Sequence, residues 1–598
     1  MFKLIKHLFT LLTPFQRKRF YTLQILVVLT AFMEIVGVAS VIPFMALVGD
    51  IGQLQRDTVI AQVYQASGIT SESQFVFWLG VGVLVMLFIS AIISMVTTWR
   101  LSLFAAKIGV EISARLYTHY LNKSWLFHAS GSSAQLTKKI ATEAGRVSGG
   151  IVMPLMQMNA RIVLALFMGV TIFVYDAKVA IIGLFIFAIA YFIIFKVVRT
   201  RLQRNGTLIS QVNEQRFRLM NEGFGGIKDI LLLGRDSHFV TRFSQAGHTL
   251  AHSEGTSTTL TQIPRYLMEL IAFGLMITLL LYLIASYDGN LGKILPVVSV
   301  YALATFKLLP AFQQIYASIA TIKSNHAAFE SIKHDLTDSM QTKLEILKTK
   351  QCYLSSKQQI SLQNVTFTYP NKAEPAISQL NMSIPINNVV GIVGPSGSGK
   401  STLIDILLGL IEPQQGQLKI DGTIIDDQNR RSWQNTIGFV PQSIFLSEGT
   451  IAENIAFGIP QDQIDLEQVR QSLKLAHLTE FLQSLEQGIH TKVGERGVQL
   501  SGGQRQRIGI ARALYHVAEV LVFDEATSSL DGISEKMIME AIHDFSGQKT
   551  IIMIAHRLKT VEKCDRIFFI DKGQLVDQGT YQELIERNEL FKKMAKYA

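Results

Sequence analysis

The sequence predicts two folds in one chain: an α-helical membrane domain of six transmembrane helices, followed by an α/β P-loop domain. Three observations carry this. Up to about residue 325 of 598, the chain holds several long apolar runs almost free of charge. The stretch Gly394-Pro-Ser-Gly-Ser-Gly-Lys-Ser-Thr402 fits the phosphate-binding-loop pattern, set between an apolar strand at Val389–Val393 and an apolar-faced helix at Thr402–Leu410. Four apolar residues, Val520–Phe523, run into the acidic pair Asp524-Glu525, as a buried parallel strand does where it ends at a phosphate site.

Composition bounds the rest. Mean hydropathy is positive, which is unusual for a soluble ATPase. The formal charge of +10 admits nucleic acid as a partner, yet the basic residues gather beside apolar runs. The clusters are Lys3, Lys6 and Arg17–Arg19; Lys123, Lys138 and Lys139; and Lys196, Arg199, Arg201 and Arg204. That is positive-inside topology, and no aromatic-interleaved basic stripe marks a nucleic-acid groove. Cys352 and Cys564 are the only cysteines, which excludes a disulfide framework and a four-cysteine zinc site and suits a reducing cytosol. The first apolar run, from about Leu23 to Val48, is too long for a signal-peptide core and reads as a retained anchor.

Spanning a bilayer takes about 20 apolar residues at 1.5 Å each. By that measure the spans are about 20–48, 75–98, 150–175, 177–198, 263–286 and 293–320. The stretches Arg100–Asn122 and Ser132–Val147 are amphipathic and read as helical extensions of the second and third spans. Three connections carry few basic residues (Arg56, Lys178, Lys293), while the other two are long and basic. Both chain ends therefore fall on the inner side.

Several charges sit at membrane depth: Glu34, Arg161, Arg265, Glu269 and Lys307. Arg265 and Glu269 stand at i and i+4 and neutralise each other on one helix face, or contribute to a cavity. Arg161 and Lys307 lack such a local partner. Two readings stay open for Arg161, Arg265 and Lys307: a substrate cavity that attracts anions, or side chains snorkelling toward headgroups. Two short segments in the long connections, 124–135 and 221–235, read as contact points for a partner domain.

The domain plan is thus a transmembrane domain over 1–332, a polar linker over 333–357 and a nucleotide-binding domain over 358–598. Within the last, the glycines let successive backbone N–H groups face a phosphate, Lys400 reaches the outer phosphates and Ser401 binds Mg²⁺. Asp524 is placed to hold Mg²⁺ through water, and Glu525 to polarise the attacking water. A second glycine pair, in Leu500-Ser-Gly-Gly-Gln504, opens a further helix N-terminus. With one phosphate loop already present, it makes sense as a cap on nucleotide held by another subunit.

These motifs resemble the ATP-binding cassette transporters. Gly394–Thr402, Gln442, Leu500–Gln504, Asp524-Glu525, Ser529-Leu-Asp531 and His556 stand in that family's order and spacing. Six spans followed by the cassette resemble a type IV exporter half-transporter. The resemblance implies ATP and Mg²⁺ as cofactors and roles at matching positions. Tyr369 stacks adenine; Gly394, Ser396, Gly397, Gly399, Lys400, Ser401 and Thr402 hold phosphates; Ser401, Gln442 and Asp524 serve Mg²⁺. Glu525, His556 and Gln442 form the catalytic set. Ser501, Gly502, Gly503 and Gln504 contact the opposite subunit's nucleotide, Asp531 links the two sites, and Lys492–Gly497 resembles the exporter loop that touches the contact helices. It also implies a second half-transporter as partner, identical or paired, in a bacterial inner (cytoplasmic) membrane with both termini and the ATPase in the cytoplasm.

For cargo, Met33–Phe44, Asn221–Ile230 and Phe306–Phe312 resemble bacterial lipid-linked oligosaccharide flippases, and Ile51–Ala66 can supply their short external helix. Such cargo carries a pyrophosphate that Arg265 or Lys307 would attract. The alternative is export of a peptide, drug or simple lipid. A peptide exporter with a cysteine-protease domain does not fit, because about 20 residues precede the first span and neither cysteine lies there.

Overall fold

The computed structural model describes residues 2–49, 51–55, 59–175, 177–286, 291–341, 352–370, 372–494, 497, 500–516, 518–525, 535–536, 539–540, 542, 545–555 and 557–597. The chain divides into two compact units, residues 1–123 with 130–344, and 124–129 with 345–598.

Among its described residues the first unit is built from helices, six of them long: α1 (Pro14–Gly49), α2 (Glu72–Leu121), α3 (Met153–Tyr175), α4 (Ala177–Gly225), α5 (Asp236–Ser286) and α6 (Leu291–Gln341). Hydrocarbon offers no partner to a backbone N–H or C=O, so a spanning segment must satisfy them internally. Five stretches of described residues are long and apolar enough to cross: Pro14–Met45, Glu72–Leu121, Ser133–Val174, Ile181–Gly225 and Asp236–Ala285. The sixth expected span, 293–320, falls within α6.

Most of these helices far outrun a membrane. The 50 residues of α2 extend roughly 75 Å, against a hydrocarbon core of about 30 Å. Along its first part Trp78, Leu84 and Phe88 are exposed, as side chains meant for lipid are. Along its second part Leu101, Phe104, Ile108, Ile112 and Leu116 are buried. The amphipathic stretch expected as an extension thus continues the same helix and packs against protein. The extension before α3 is also helical, but with π-helical turns at Lys139–Glu143 and Ser148–Val152. Between them Arg146 donates to Glu143, Ser210 and Asn325 at 2.7–3.1 Å. Nearby, a Cβ on Gly206 of α4 would stand 1.8 Å from the Ser324 carbonyl of α6, so the two backbones meet where only glycine fits. The segment after α1 expected to supply an external helix forms a 3₁₀ turn, Ile51–Gln55, and a helix, Val59–Ser67.

The stretch expected as a linker begins later than its polarity implied. Helix α6 continues to Gln341, because Ala328, Phe329, Ile332 and Leu336 keep an apolar stripe at helical spacing and are buried. Much of the rest of that stretch, 342–351, lies outside the described residues.

Among its described residues the second unit holds two sheets. An antiparallel sheet has the order β2-β1-β4-β5, from β1 (Gln359–Phe367), β2 (Ile377–Pro385), β4 (Gln415–Ile420) and β5 (Thr423–Ile424). The larger sheet has the order β10-β9-β3-β8-β7-β6. Its strands are β3 (Val389–Val393), β6 (Ile437–Val440), β7 (Val520–Asp524), β8 (Thr550–Ile554), β9 (Arg566–Asp571) and β10 (Gln574–Gly579). All but β10 run parallel. Strands β3 and β8 are buried throughout and β7 is buried up to Asp524, so they read as unbroken apolar runs, as strands covered on both faces do.

Candidate nucleotide site and membrane cavity

Because β3, β8 and β7 are parallel neighbours, their C-terminal ends share one edge. The chain leaves β3 through Gly394–Gly399 into α7 (Lys400–Leu407), and leaves β7 at Asp524-Glu525. Phosphate loop and acidic pair are therefore adjacent by topology. The loop is tight: Gly397 and Gly399 adopt φ of 78° and 102°, and a Cβ on Gly399 would stand 2.5 Å from the Ala376 carbonyl. Ser396 and Gly397 are exposed at its tip.

Lys400 is buried and donates to the carbonyls of Gly394 and Pro395 at 2.8 and 2.9 Å, so the loop itself holds the ammonium. Burial lowers its pKa, while Glu525 and Asp524 oppose that shift. Ser398 Oγ is buried with no hydrogen-bond partner among the described residues, an orphan donor inside a phosphate cradle. Ser401 is exposed on the first turn of α7, and Thr402 Oγ1 bonds the Tyr369 hydroxyl at 3.1 Å, which fixes that ring beside the loop. Gln442 Nε2 donates to Glu525 Oε2 at 2.6 Å, and Glu525 takes a left-handed φ of 50°. A residue other than glycine in that region is held there by its surroundings.

Ser401 offers a hydroxyl, Gln442 a carbonyl and Asp524 a carboxylate. These are hard oxygen donors, and the chemistry fits Mg²⁺. Helix α8 (Gly502–Tyr515) starts at the second glycine pair. Ser501 caps it: its Oγ accepts from Gln504 N, and Gln504 Oε1 accepts from Ser501 N at 2.8 Å. The Gln504 side chain is thus used within its own loop, holding Ser501, while Gly502 and Gly503 leave their backbone N–H groups at the helix start. His556, Asp531 and Ser529, together with Glu495 and Arg496 of the Lys492–Gly497 loop, lie outside the described residues.

One contact in this unit was not foreseen. Asp405, on α7, accepts a hydrogen bond from Trp125 Nε1 at 3.2 Å, and Leu126 packs on the core around β1 and β2. Burial pushes the Asp405 carboxyl up to about 6, with Asp524 adding and the indole N–H opposing. Trp125 belongs to the first of the two predicted contact segments. In the second, Ile227–Leu233 is a helix ended by Gly234 at φ 62°, with Leu231, Leu232 and Leu233 exposed.

In the first unit, Arg161 and Lys307 meet on one carboxylate. Arg161 Nη1 lies 3.8 Å from Glu34 Oε1, and Lys307 Nζ lies 3.9 Å from Oε2. Ser94 Oγ donates to Glu34 Oε1 at 2.9 Å. Glu34 and Arg161 line a cavity of about 120 Å³ between α1, α2 and α3. Neither Lys307 nor Arg265 is among its lining residues: Lys307 approaches Glu34 Oε2 from α6, and Arg265 pairs with Glu269 at 2.7 Å on α5, with its side chain exposed. The role of Glu34 was missed because no spacing rule pairs residues on different helices. The available signal was one acid at membrane depth among two bases without local partners.

Two family models match the chain, each described as ABC transporter: its transmembrane region over residues 19–308 and its ATPase domain over 377–528. The chain belongs to the ABC transporters. It is an ABC exporter half-transporter, with one type IV exporter-like helical domain and one nucleotide-binding domain that binds ATP and hydrolyses it to drive transport. Curated relatives include the ATP-dependent lipid A-core flippase of Escherichia coli (strain K12) and that of Shigella flexneri. Each is 28% identical over 533 residues, covering 88% of this chain and 90% of the relative. Among solved structures, a bacterial Atm1-family ABC exporter with ATP bound has the same fold. Its TM-score is 0.78 at 23% identity, over 97% of this chain and 98% of the other.

Proposed function

We propose that two copies of this half-transporter pair in a bacterial inner membrane, termini and ATPase domains in the cytoplasm, and flip a lipid-linked oligosaccharide out of the cytoplasmic leaflet by alternating access. The observation that carries the anionic part of this reading is the meeting of Arg161 and Lys307 at Glu34, with Arg161 and Glu34 lining an otherwise largely apolar cavity. A carboxylate shared by two cations leaves positive charge for a phosphate-bearing lipid. The flippase relatives favour an amphipathic lipid over a peptide or drug, and they leave a simple lipid as the second reading.

In the nucleotide site, Lys400 leaves the Gly394 and Pro395 carbonyls for the outer phosphates, and the N–H groups of Gly397 to Thr402 bind the inner ones. Ser401, Gln442 and Asp524 hold Mg²⁺, whose charge offsets that of the phosphate oxygens when bound. Glu525 orients the attacking water and accepts its proton, and the hydrogen bond from Gln442 keeps its carboxylate at the site. Tyr369 stacks on adenine, and His556 and Asp531 complete the site. Ser501, Gly502 and Gly503 reach the nucleotide of the other subunit, held in place by the Gln504 cap. Domain boundaries near 341 and 357 separate the membrane and ATPase parts.

Reconstitution with a fluorescent lipid-linked oligosaccharide tests the cargo. ATP-dependent loss of signal from one leaflet is expected, and none with Glu525→Gln. Intact ATPase without flipping would overturn it in favour of the second reading. Spin-label distances across the membrane helices should differ between vanadate-trapped and nucleotide-free protein; identical distances would exclude alternating access.

A further inference from the structure

The charge cluster around Glu34 has a geometry suited to exchange. Both ion pairs, at 3.8 and 3.9 Å, are longer than the ~2.8 Å of a charge-assisted hydrogen bond. In the same unit Lys139 grips Asp335 at 2.7 Å, while Lys138–Glu143, Arg218–Glu222 and Lys333–Glu330 are as long as the Glu34 pairs; what sets Glu34 apart is two cations from different helices on one carboxylate. Glu34 is recessed, its side chain 11% exposed and fixed by Ser94, whereas Arg161 is 41% exposed and Lys307 35%. The anion is thus anchored in the wall while both cations remain accessible.

We propose that Glu34 is a displaceable internal counter-ion, which holds Arg161 and Lys307 until a lipid-borne phosphate or diphosphate group takes them over. The proposal rests on the reading that this cavity admits an anionic headgroup, and it adds how the site is kept closed to other molecules. Two cations on one carboxylate carry a surplus positive charge, and at membrane depth a second anion relieves it. A diphosphate has enough oxygens to bond both cations at short range. The cavity volume, about 120 Å³, is that of about four water molecules in the liquid. The cavity has room for a phosphate-sized group, and a glycan and a lipid tail need space beyond it. Of the polar groups in the wall, Thr30 and Thr98 give their hydroxyl hydrogens to helix carbonyls, and Gln157 accepts from Gln314, which leaves its amide N–H groups to face an anion.

Exchange has a mechanical consequence. Glu34 sits on α1, Arg161 on α3 and Lys307 on α6, so the carboxylate ties three helices. When the headgroup takes both cations, α1 loses its tie to α3 and α6, and cargo binding is converted into freedom for the helices to rearrange.

The test is equilibrium binding of geranylgeranyl diphosphate to nucleotide-free full-length protein in phosphatidylcholine nanodiscs, with geranylgeraniol as the uncharged control. Removing the competing anion in Glu34→Gln should tighten diphosphate binding about tenfold. Ser94→Ala, a one-atom deletion that only loosens Glu34, should tighten it by roughly threefold and serves if the first variant does not fold. Arg161→Gln and Lys307→Gln should each weaken it about tenfold or more, and binding of the alcohol should not respond to any of the four. Competition by inorganic pyrophosphate would assign recognition to the phosphates alone, and its absence to phosphate presented on lipid; either keeps the proposal. If Glu34→Gln and Ser94→Ala bind no tighter while Arg161→Gln binds more weakly, the counter-ion idea fails and the anionic cavity stands. If Arg161→Gln is also unchanged, both fail.

Discussion

The phosphate loop and the Glu34 cluster, the two places proposed to take anions, are built on opposite plans. From Gly394 to Thr402 the binding groups are backbone N–H donors of successive residues, and one lysine held by its own loop. Around Glu34 they are side chains from α1, α3 and α6, brought together only by helix packing. Backbone recognition has to be contiguous, since one turn of chain supplies all the donors. Side-chain recognition has no such constraint, so its members scatter through the sequence. The first kind of site appears as a motif; the second appears as unexplained charges.

The largest expected effect is at the first site. Glu525→Gln should lower ATP turnover by roughly 100-fold or more in a phosphate-release assay. Full turnover in that protein would remove Glu525 from its catalytic role and weaken the contrast between the sites.

Next comes the backbone. At Gly399 an alanine would adopt φ of 102° with its Cβ 2.5 Å from the Ala376 carbonyl. The strain should cost about 1–3 kcal/mol of domain stability and weaken ATP binding. A Gly399→Ala protein with unchanged denaturation midpoint and ATP affinity would show that the cradle is less rigid than backbone recognition requires.

A smaller effect is expected at Asp405, which lies between motif and tertiary contact. Its folded pKa of about 6 exceeds the ordinary 3.8, so between those values the folded state holds a proton that the unfolded chain has released. Stability from this group is therefore lost as pH rises through that window, and above it the full cost of the buried charge applies. Asp405→Asn keeps an acceptor for Trp125 without the charge. Allowing for partial exposure, it should stabilise the domain by on the order of 1 kcal/mol at pH 7.5, with the gain vanishing near pH 4. A gain that persists at pH 4 would point to packing instead.

The smallest effect is expected at Arg265. Its pair with Glu269 is exposed and local, and Arg265→Gln should leave the unfolding temperature within experimental scatter. A large loss would mean that a charge pair readable by i,i+4 spacing carries as much as one assembled from three helices.

By itself the sequence determined the order of the two domains, the five spans found long and apolar enough to cross, the phosphate loop, the acidic pair and the second glycine loop. Each depends on chemistry written within a few residues or on one helical or strand period. Only the tertiary structure decided that α6 runs to Gln341 on a buried apolar stripe, that Gln504 caps Ser501, and that Trp125 reaches Asp405. It alone made Glu34 the common partner of Arg161 and Lys307 while leaving Arg265 to its own helix. The physical reason is range: backbone geometry and periodicity act between near neighbours, whereas which helices face each other follows from packing the whole domain.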